Sequence, residues 1–213
     1  MLVVAKSVDK IFMGTKVLDN VDLSILRGDK IAMMGPNGAG KTTLIRAMLG
    51  FYHIDSGTIR VDGFDPIKNR VKVLQNISFI PQLPPPVKLS ISELLMYVTK
   101  SANVDKEMIL KEASLMDLDL NEHINKPFFK LSGGMKQKLL IAIALSKKSD
   151  LLVFDEPTAN LDPKGREQFY RLLSDLDSNV STLFITHRLD EIEGLVNRKI
   201  YMDLGKVVED EKI

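Results

Sequence analysis

Val21-Asp22-Leu23-Ser24-Ile25 alternates apolar and polar positions, the period of a strand with one face in a core and one in water. Residues 2–26 read as such strands, with Met13-Gly14-Thr15-Lys16 as the turn between two of them. A different pattern follows. Ile31-Ala32-Met33-Met34, Leu151-Leu152-Val153-Phe154 and Thr182-Leu183-Phe184-Ile185-Thr186 are short and almost wholly apolar. Runs of that kind are buried on both faces, as in a parallel sheet. Thr58 to Val61 and Ile77 to Ile80 are further short strands.

Helical periodicity separates these runs. Ser90-Ile91-Ser92-Glu93 has the form of a capping box, and Ile91, Leu94, Leu95 and Val98 continue it as one apolar stripe. Residues 105–117 read as a second helix, and Leu139, Ile143 and Ala144 mark a third that ends near Lys148. Phe169, Leu172, Leu173 and Leu176 form the stripe of a fourth. Pro84, Pro85 and Pro86 stop any hydrogen-bonded element and mark a boundary between lobes. The expected fold is α/β, with a mainly parallel sheet, an N-terminal antiparallel part and an inserted all-helical part. Within one domain of residues 1–213, the α/β lobe would take 1–82 and 149–213 and the helical lobe 83–148. Residues 199–208 read as a terminal hairpin, with 209–213 frayed.

Composition narrows the function. A net charge of +1 over 213 residues, with no long block of one sign, gives no electrostatic reason to bind nucleic acid or an anionic membrane. The absence of cysteine excludes disulfides and thiolate metal sites. The first residues lack a basic region followed by a long apolar core, so no secretory signal is expected, and no apolar run is long enough to span a bilayer. Any membrane span would come from a partner.

Gly35-Pro36-Asn37-Gly38-Ala39-Gly40-Lys41-Thr42-Thr43 fits the phosphate-binding pattern G-x-x-x-x-G-K-[ST] and lies between an apolar strand and good helix formers. That context suits the chemistry. Glycines let successive N–H groups surround an anionic oxygen, and a helix N-terminus adds partial positive charge. Lys41 would reach the β- and γ-phosphates, and the Thr42 hydroxyl would hold Mg²⁺. Asp155 and Glu156 close an apolar strand at its carboxyl end, where a parallel sheet places ligand chemistry. Asp155 would bind Mg²⁺ through water, and Glu156 would act on a water near the γ-phosphate. His187 ends another such strand. Ser132 can cap the helix opened by Gly133 and Gly134. Two glycines in a first turn weaken a helix, so amides exposed to an anion would account for them. Phe12 is either a strand-end core residue or a ring that stacks on a nucleotide base.

Taken in order, these motifs resemble the ATP-binding-cassette (ABC) ATPases over nearly the whole chain. Gly35 to Thr43 looks like the Walker A loop, and Gln82 like the Q-loop glutamine. Leu131-Ser132-Gly133-Gly134-Met135-Lys136-Gln137 looks like the signature motif, which other P-loop ATPases lack. Residues 151–156 look like Walker B with the catalytic glutamate, Asn160-Leu161-Asp162 like the D-loop, and His187 like the switch histidine. Phe12 stands where the family more often has Tyr, and Met135 where many members have Gln.

The resemblance implies a P-loop NTPase core and an ATPase that uses ATP with Mg²⁺. Phe12 would stack on adenine, while Gln82 joins Thr42 and Asp155 at Mg²⁺. His187 would contact the γ-phosphate, and Asp162 would link two sites. It implies head-to-tail pairing with a second copy or a paralogous cassette, each ATP lying between one Walker A loop and the partner's Ser132-Gly133-Gly134. It also implies integral membrane permease subunits as partners and a place on the inner face of the membrane. The signature and the Asn160-to-Arg166 run look most like exporter-type cassettes of the drug, polysaccharide and copper-maturation branch, which includes those serving the nitrous-oxide reductase copper site. The competing reading is a soluble ABC ATPase acting on ribosomes or DNA. Those usually carry two cassettes or a long coiled coil, and neither is seen here.

Overall fold

The computed structural model describes residues 1–213. In chain order its elements are β1 Val3–Phe12, β2 Thr15–Ile25, β3 Lys30–Met34, α1 Lys41–Met48, β4 Ser56–Val61, α2 Arg70–Asn76, β5 Ile77–Ile80, α3 Ile91–Ala102 and α4 Lys106–Leu115. They continue with α5 Gly133–Ser146, β6 Leu151–Asp155, α6 Pro163–Ser174, β7 Ser181–Ile185, α7 Leu189–Ile192, β8 Arg198–Asp203 and β9 Lys206–Lys212. The chain divides into two compact units. One comprises Met1–Ile77, Asp150–Asp155 and Asp177–Ile213; the other Ser78–Ser149 and Glu156–Leu176. The segment 156–176 thus groups with the helices, and the peptide bond from Asp155 to Glu156 passes from one unit to the other.

The first unit holds both sheet types. β2, β1 and β4 form an antiparallel sheet in that order. Val21, Leu23 and Ile25 are buried in it and Asp22 is exposed, as strict alternation requires. The turn is tighter than the sequence suggests, since Thr15 and Lys16 already pair with Phe12 and Ile11. Strands β6, β7, β3 and β8 lie side by side in parallel, and β9 closes the row antiparallel to β8. Every residue of β6 and β7 is buried. Between them the Phe154 and Phe184 rings stack 4.8 Å apart.

In the second unit the capping box forms as written. Ser90 N donates to Glu93 Oε2 at 2.8 Å, and Glu93 N donates to Ser90 Oγ at 3.2 Å. Ile91, Leu95, Ile109, Phe128 and Leu139 join α3, α4 and α5 in one core. Asp105 caps α4, and residues 121–123 and 128–130 form short 3₁₀ turns. Back in the first unit, helix α2 is not expected from the sequence; with Val73 its only buried residue, it has no apolar stripe to reveal it.

Residues 209–213 are not frayed. β9 stays paired with β8 as far as Lys212. The cause is Arg198, buried on β8. Its Nε and Nη2 each meet the Asp210 carboxylate at 2.6 Å, and its Nη1 donates to Asp29 Oδ2 and the Ser24 carbonyl, both at 2.8 Å. A fork that fits a carboxylate with two bonds specifies direction as well as charge. Arg198→Met would leave Asp29 buried without its cation, and we expect a loss of about 3 kcal/mol in urea unfolding. Asp210→Asn, at a more exposed partner, should cost about 1 kcal/mol. An unchanged midpoint for Arg198→Met would show that the hairpin is held by its strand pairing alone.

Candidate functional site

The phosphate loop leaves β3 at Met34 and enters α1 at Lys41. Gly35, Ala39 and Gly40 are buried, while Pro36, Asn37 and Gly38 face solvent. Gly40 opens α1 with φ +98° and no side-chain cap, so the first N–H groups of that helix are not claimed by a capping side chain. Lys41 is folded onto its own loop. Its Nζ donates to the Gly35 carbonyl at 2.7 Å and the Pro36 carbonyl at 2.9 Å. A phosphate would replace those carbonyls with charged oxygens.

Thr42, on the first turn of α1, and Asp155, at the carboxyl end of β6, come together in the same unit. Thr42 Oγ1 donates to Asp155 Oδ2 at 3.4 Å. Burial pushes the Asp155 carboxyl above its ordinary range, opposed by the Thr42 hydroxyl and by the charges of Arg46 and Lys41. A hydroxyl beside one carboxylate is a hard-oxygen pair. It suits Mg²⁺, which keeps waters and takes substrate phosphates for its remaining positions. Phe12 ends β1 and is 38% exposed, so it is not the core residue of the alternative reading. His187 follows β7 and is exposed.

The second unit carries the remaining candidates. Glu156 is half-buried and has φ +49°, a left-handed conformation that costs a side-chain-bearing residue energy and fixes its direction. Gln82 is exposed, and its carbonyl accepts from Asn160 Nδ2 at 3.4 Å. Ser132 caps α5 as expected, accepting from Met135 N at 3.2 Å, and Ser132 and Gly133 face solvent. Asp162 caps α6, its Oδ1 accepting from Gly165 N at 3.1 Å.

Gly134 has a reason beyond exposed amides. A Cβ there would lie 3.0 Å from the Asn160 carbonyl oxygen, whereas at Gly133 the nearest atom would be 3.7 Å away. Close approach of the 160–162 turn therefore accounts for one of the two glycines. Asn160 is expected from the sequence only as part of the D-loop turn, with no contact of its own, and Arg46 and Tyr52 are not singled out. None of these has a local pattern to mark it.

The family profile described as "ABC transporter" matches residues 18–159, more than half of the chain. The chain belongs to the ABC transporter ATPase family. The glutamine transport ATP-binding protein of Escherichia coli K12 is 32% identical over 216 residues, covering 96% of this cassette and 89% of that protein. An Fe³⁺ ions import ATP-binding protein of Pasteurella multocida is also 32% identical, over 97% of this cassette and 60% of the relative. Among solved structures, a dimeric ATP-binding cassette in a post-hydrolysis state with ADP and phosphate superimposes with a TM-score of 0.84 at 24% identity, over 99% of this chain and 98% of that one. The cassette has the α/β P-loop fold of the family and is an ATPase.

The Asp155 shift gives a test. A raised pKa means the native chain holds that proton more tightly than the unfolded chain does. The charged form therefore costs stability progressively as the pH rises from the ordinary carboxylate value, and the full cost is present above the raised value. Asp155→Asn should raise the melting temperature of the nucleotide-free cassette at pH 7 and lose that gain at acid pH. A lower melting temperature at pH 7 would refute the electrostatic account.

Proposed function

We propose that this cassette hydrolyses Mg²⁺-ATP between its own phosphate loop and the Ser132-Gly133-Gly134 of a second cassette, and so drives a membrane permease. The observation that carries the reading is the buried Asp155 carboxylate beside the Thr42 hydroxyl at the head of an uncapped helix. In this reading the α1 amides and Lys41 hold the phosphates, and Phe12 stacks on adenine. Thr42, Asp155 and Gln82 hold Mg²⁺, which would neutralise phosphate charge. Glu156, aimed by its left-handed backbone, polarises the attacking water. His187 contacts the γ-phosphate, and Asp162 serves communication between the two sites.

Two features support the partners. Ser132 and Gly133 are exposed at the N-terminus of a 14-residue helix, open to an anion carried by another molecule. Leu89, Met96 and Tyr97 form an exposed apolar face with Glu93 and Lys100 on α3 and the segment before it. The permease is the occupant we assign to that face, which follows Gln82 along the chain. A relative named for import gives the exporter-type reading no support, and direction is left to the permease. No helix of the chain is long and apolar enough to cross a membrane.

Glu156→Gln should bind ATP as the wild type does, lose at least about 100-fold in hydrolysis, and accumulate as an ATP-bound dimer on gel filtration. Wild-type turnover in this variant would remove Glu156 from the base role. Ser132→Arg should block hydrolysis without weakening ATP binding to the monomer. Weaker monomer binding would place the signature contact within one chain. Tyr97→Glu should abolish co-purification with membrane subunits while the isolated cassette keeps its ATPase rate; retained co-purification would move the docking face elsewhere.

A further inference from the structure

We infer that Tyr52 is a positioning residue for the nucleotide base: it holds the Phe12 ring and ties it to the phosphate-loop helix. This rests on the reading of Phe12 as the base platform. A partly exposed phenylalanine at a strand end would ordinarily sample several rotamers, and a base stacking on it would lose affinity in ordering the ring. Here the ring is held already. Tyr52 packs against Phe12 edge to face, with centroids 5.3 Å apart and planes at 74°. Lys10 Nζ lies over the Phe12 ring 5.0 Å from its centroid and is itself paired with Asp55 Oδ2 at 3.0 Å.

The chain brings these groups together for a local reason. α1 ends at Met48 with Leu49 as its C-cap, and the Phe51 N–H closes back on the Arg46 carbonyl at 2.8 Å. Residues 51–55 then run beside the end of β1. Asp55 N donates to the Asp9 carbonyl at 2.9 Å, and Ile11 N to Asp55 Oδ2 at 2.6 Å. Tyr52 is pinned in turn by Arg46. Arg46 Nη1 donates to the Tyr52 hydroxyl at 2.9 Å, and the guanidinium carbon lies 5.8 Å from the ring centroid. Arg46 is one helical turn beyond Thr42, and its charge is among those that favour ionised Asp155. The base platform, through Tyr52 and Arg46, is thus fixed to the helix that presents the phosphate and metal groups. The spacing between base and triphosphate subsites is set before ATP arrives.

The test compares Mg²⁺-ATP with Mg²⁺-tripolyphosphate, which has no base, by equilibrium binding to the full chain. Tyr52→Ala should weaken ATP about three- to tenfold, the range of an aromatic pair, and leave tripolyphosphate unchanged. Tyr52→Phe keeps the edge contact and should restore ATP affinity to within about threefold of wild type. Phe12→Ala is the control for the platform, and the double variant should bind ATP no worse than Phe12→Ala alone. A change in the ATP-to-tripolyphosphate ratio with Phe12→Ala but not with Tyr52→Ala overturns the role of Tyr52 and leaves the platform standing. No change with Phe12→Ala overturns the platform itself. Equal weakening of both ligands by Tyr52→Ala would make Tyr52 a general support of the loop and overturn the inference.

Discussion

A Cβ on Gly35 would sit 1.9 Å from the Met202 carbonyl oxygen, and one on Gly40 would sit 2.7 Å from that of Val17. The phosphate loop is therefore seated directly on main chain, from β8 at one end and β2 at the other. At each of these two glycines the nearest atom is a main-chain carbonyl oxygen, which cannot swing aside. The turn between β8 and β9 completes the seat: Gly205 N donates to the Ala39 carbonyl at 3.2 Å, and its own carbonyl accepts from Asp19 N at 2.9 Å. What positions the loop amides is thus a strand and a turn more than 160 residues away in sequence. These are held in turn by Arg198 between Asp29 and Asp210. A cradle for phosphate needs amides fixed before the ligand arrives, because ordering them afterwards would be subtracted from binding. Here main-chain contact supplies that rigidity.

The charges inside the cradle are arranged at a cost when no nucleotide is present. Lys41 donates to neutral carbonyls of its own loop, and Asp155 is buried with its proton held more tightly than usual. In the proposed complex each would gain a better partner: Lys41 a phosphate oxygen, Asp155 a divalent cation. Ground-state tension of this kind makes binding energy available, and it places the cost in folding stability. Glu156 adds to it through its left-handed backbone. The three residues expected to do the chemistry are those that a purely stable protein would change.

Much of this was legible in the sequence because it is local. The glycine loop, the Ser90–Glu93 box, the alternation in β2 and the apolar runs of β6 and β7 all follow from short-range spacing. Those readings needed no knowledge of what packs against what. Features that depend on distant neighbours were hidden. Asp210 looked like part of a frayed end because nothing near it announces Arg198. Gly134 looked like an anion site alone because Asn160 lies 26 residues on. Tyr52 carried no signal, since its meaning comes from Phe12 and Arg46 rather than from its own flanks. The positive φ of Glu156 could not be foreseen either, because a glutamate, unlike glycine, asparagine or aspartate, carries no local preference for that conformation.

Within the second unit, the same neighbour that explains Gly134 joins three motifs mechanically. The Asn160 main chain packs against the first turn of α5, and its side chain reaches the Gln82 carbonyl. Asp162, two residues further, caps α6. A shift of Gln82 toward a metal would pull on Asn160, and Asn160 has little room to move without displacing the turn at Gly134. At 3.4 Å the Asn160–Gln82 bond is long, so it gives way more easily than the packing at Gly134. The 160–162 turn is accordingly tied more firmly to the signature helix than to the Gln82 segment. Closure sensed at Gln82 would stretch a weak bond first, whereas any displacement of the signature helix would carry the turn with it. In the proposed dimer that asymmetry would suit Asp162 to communication, since it would move with the surface that a second cassette would touch.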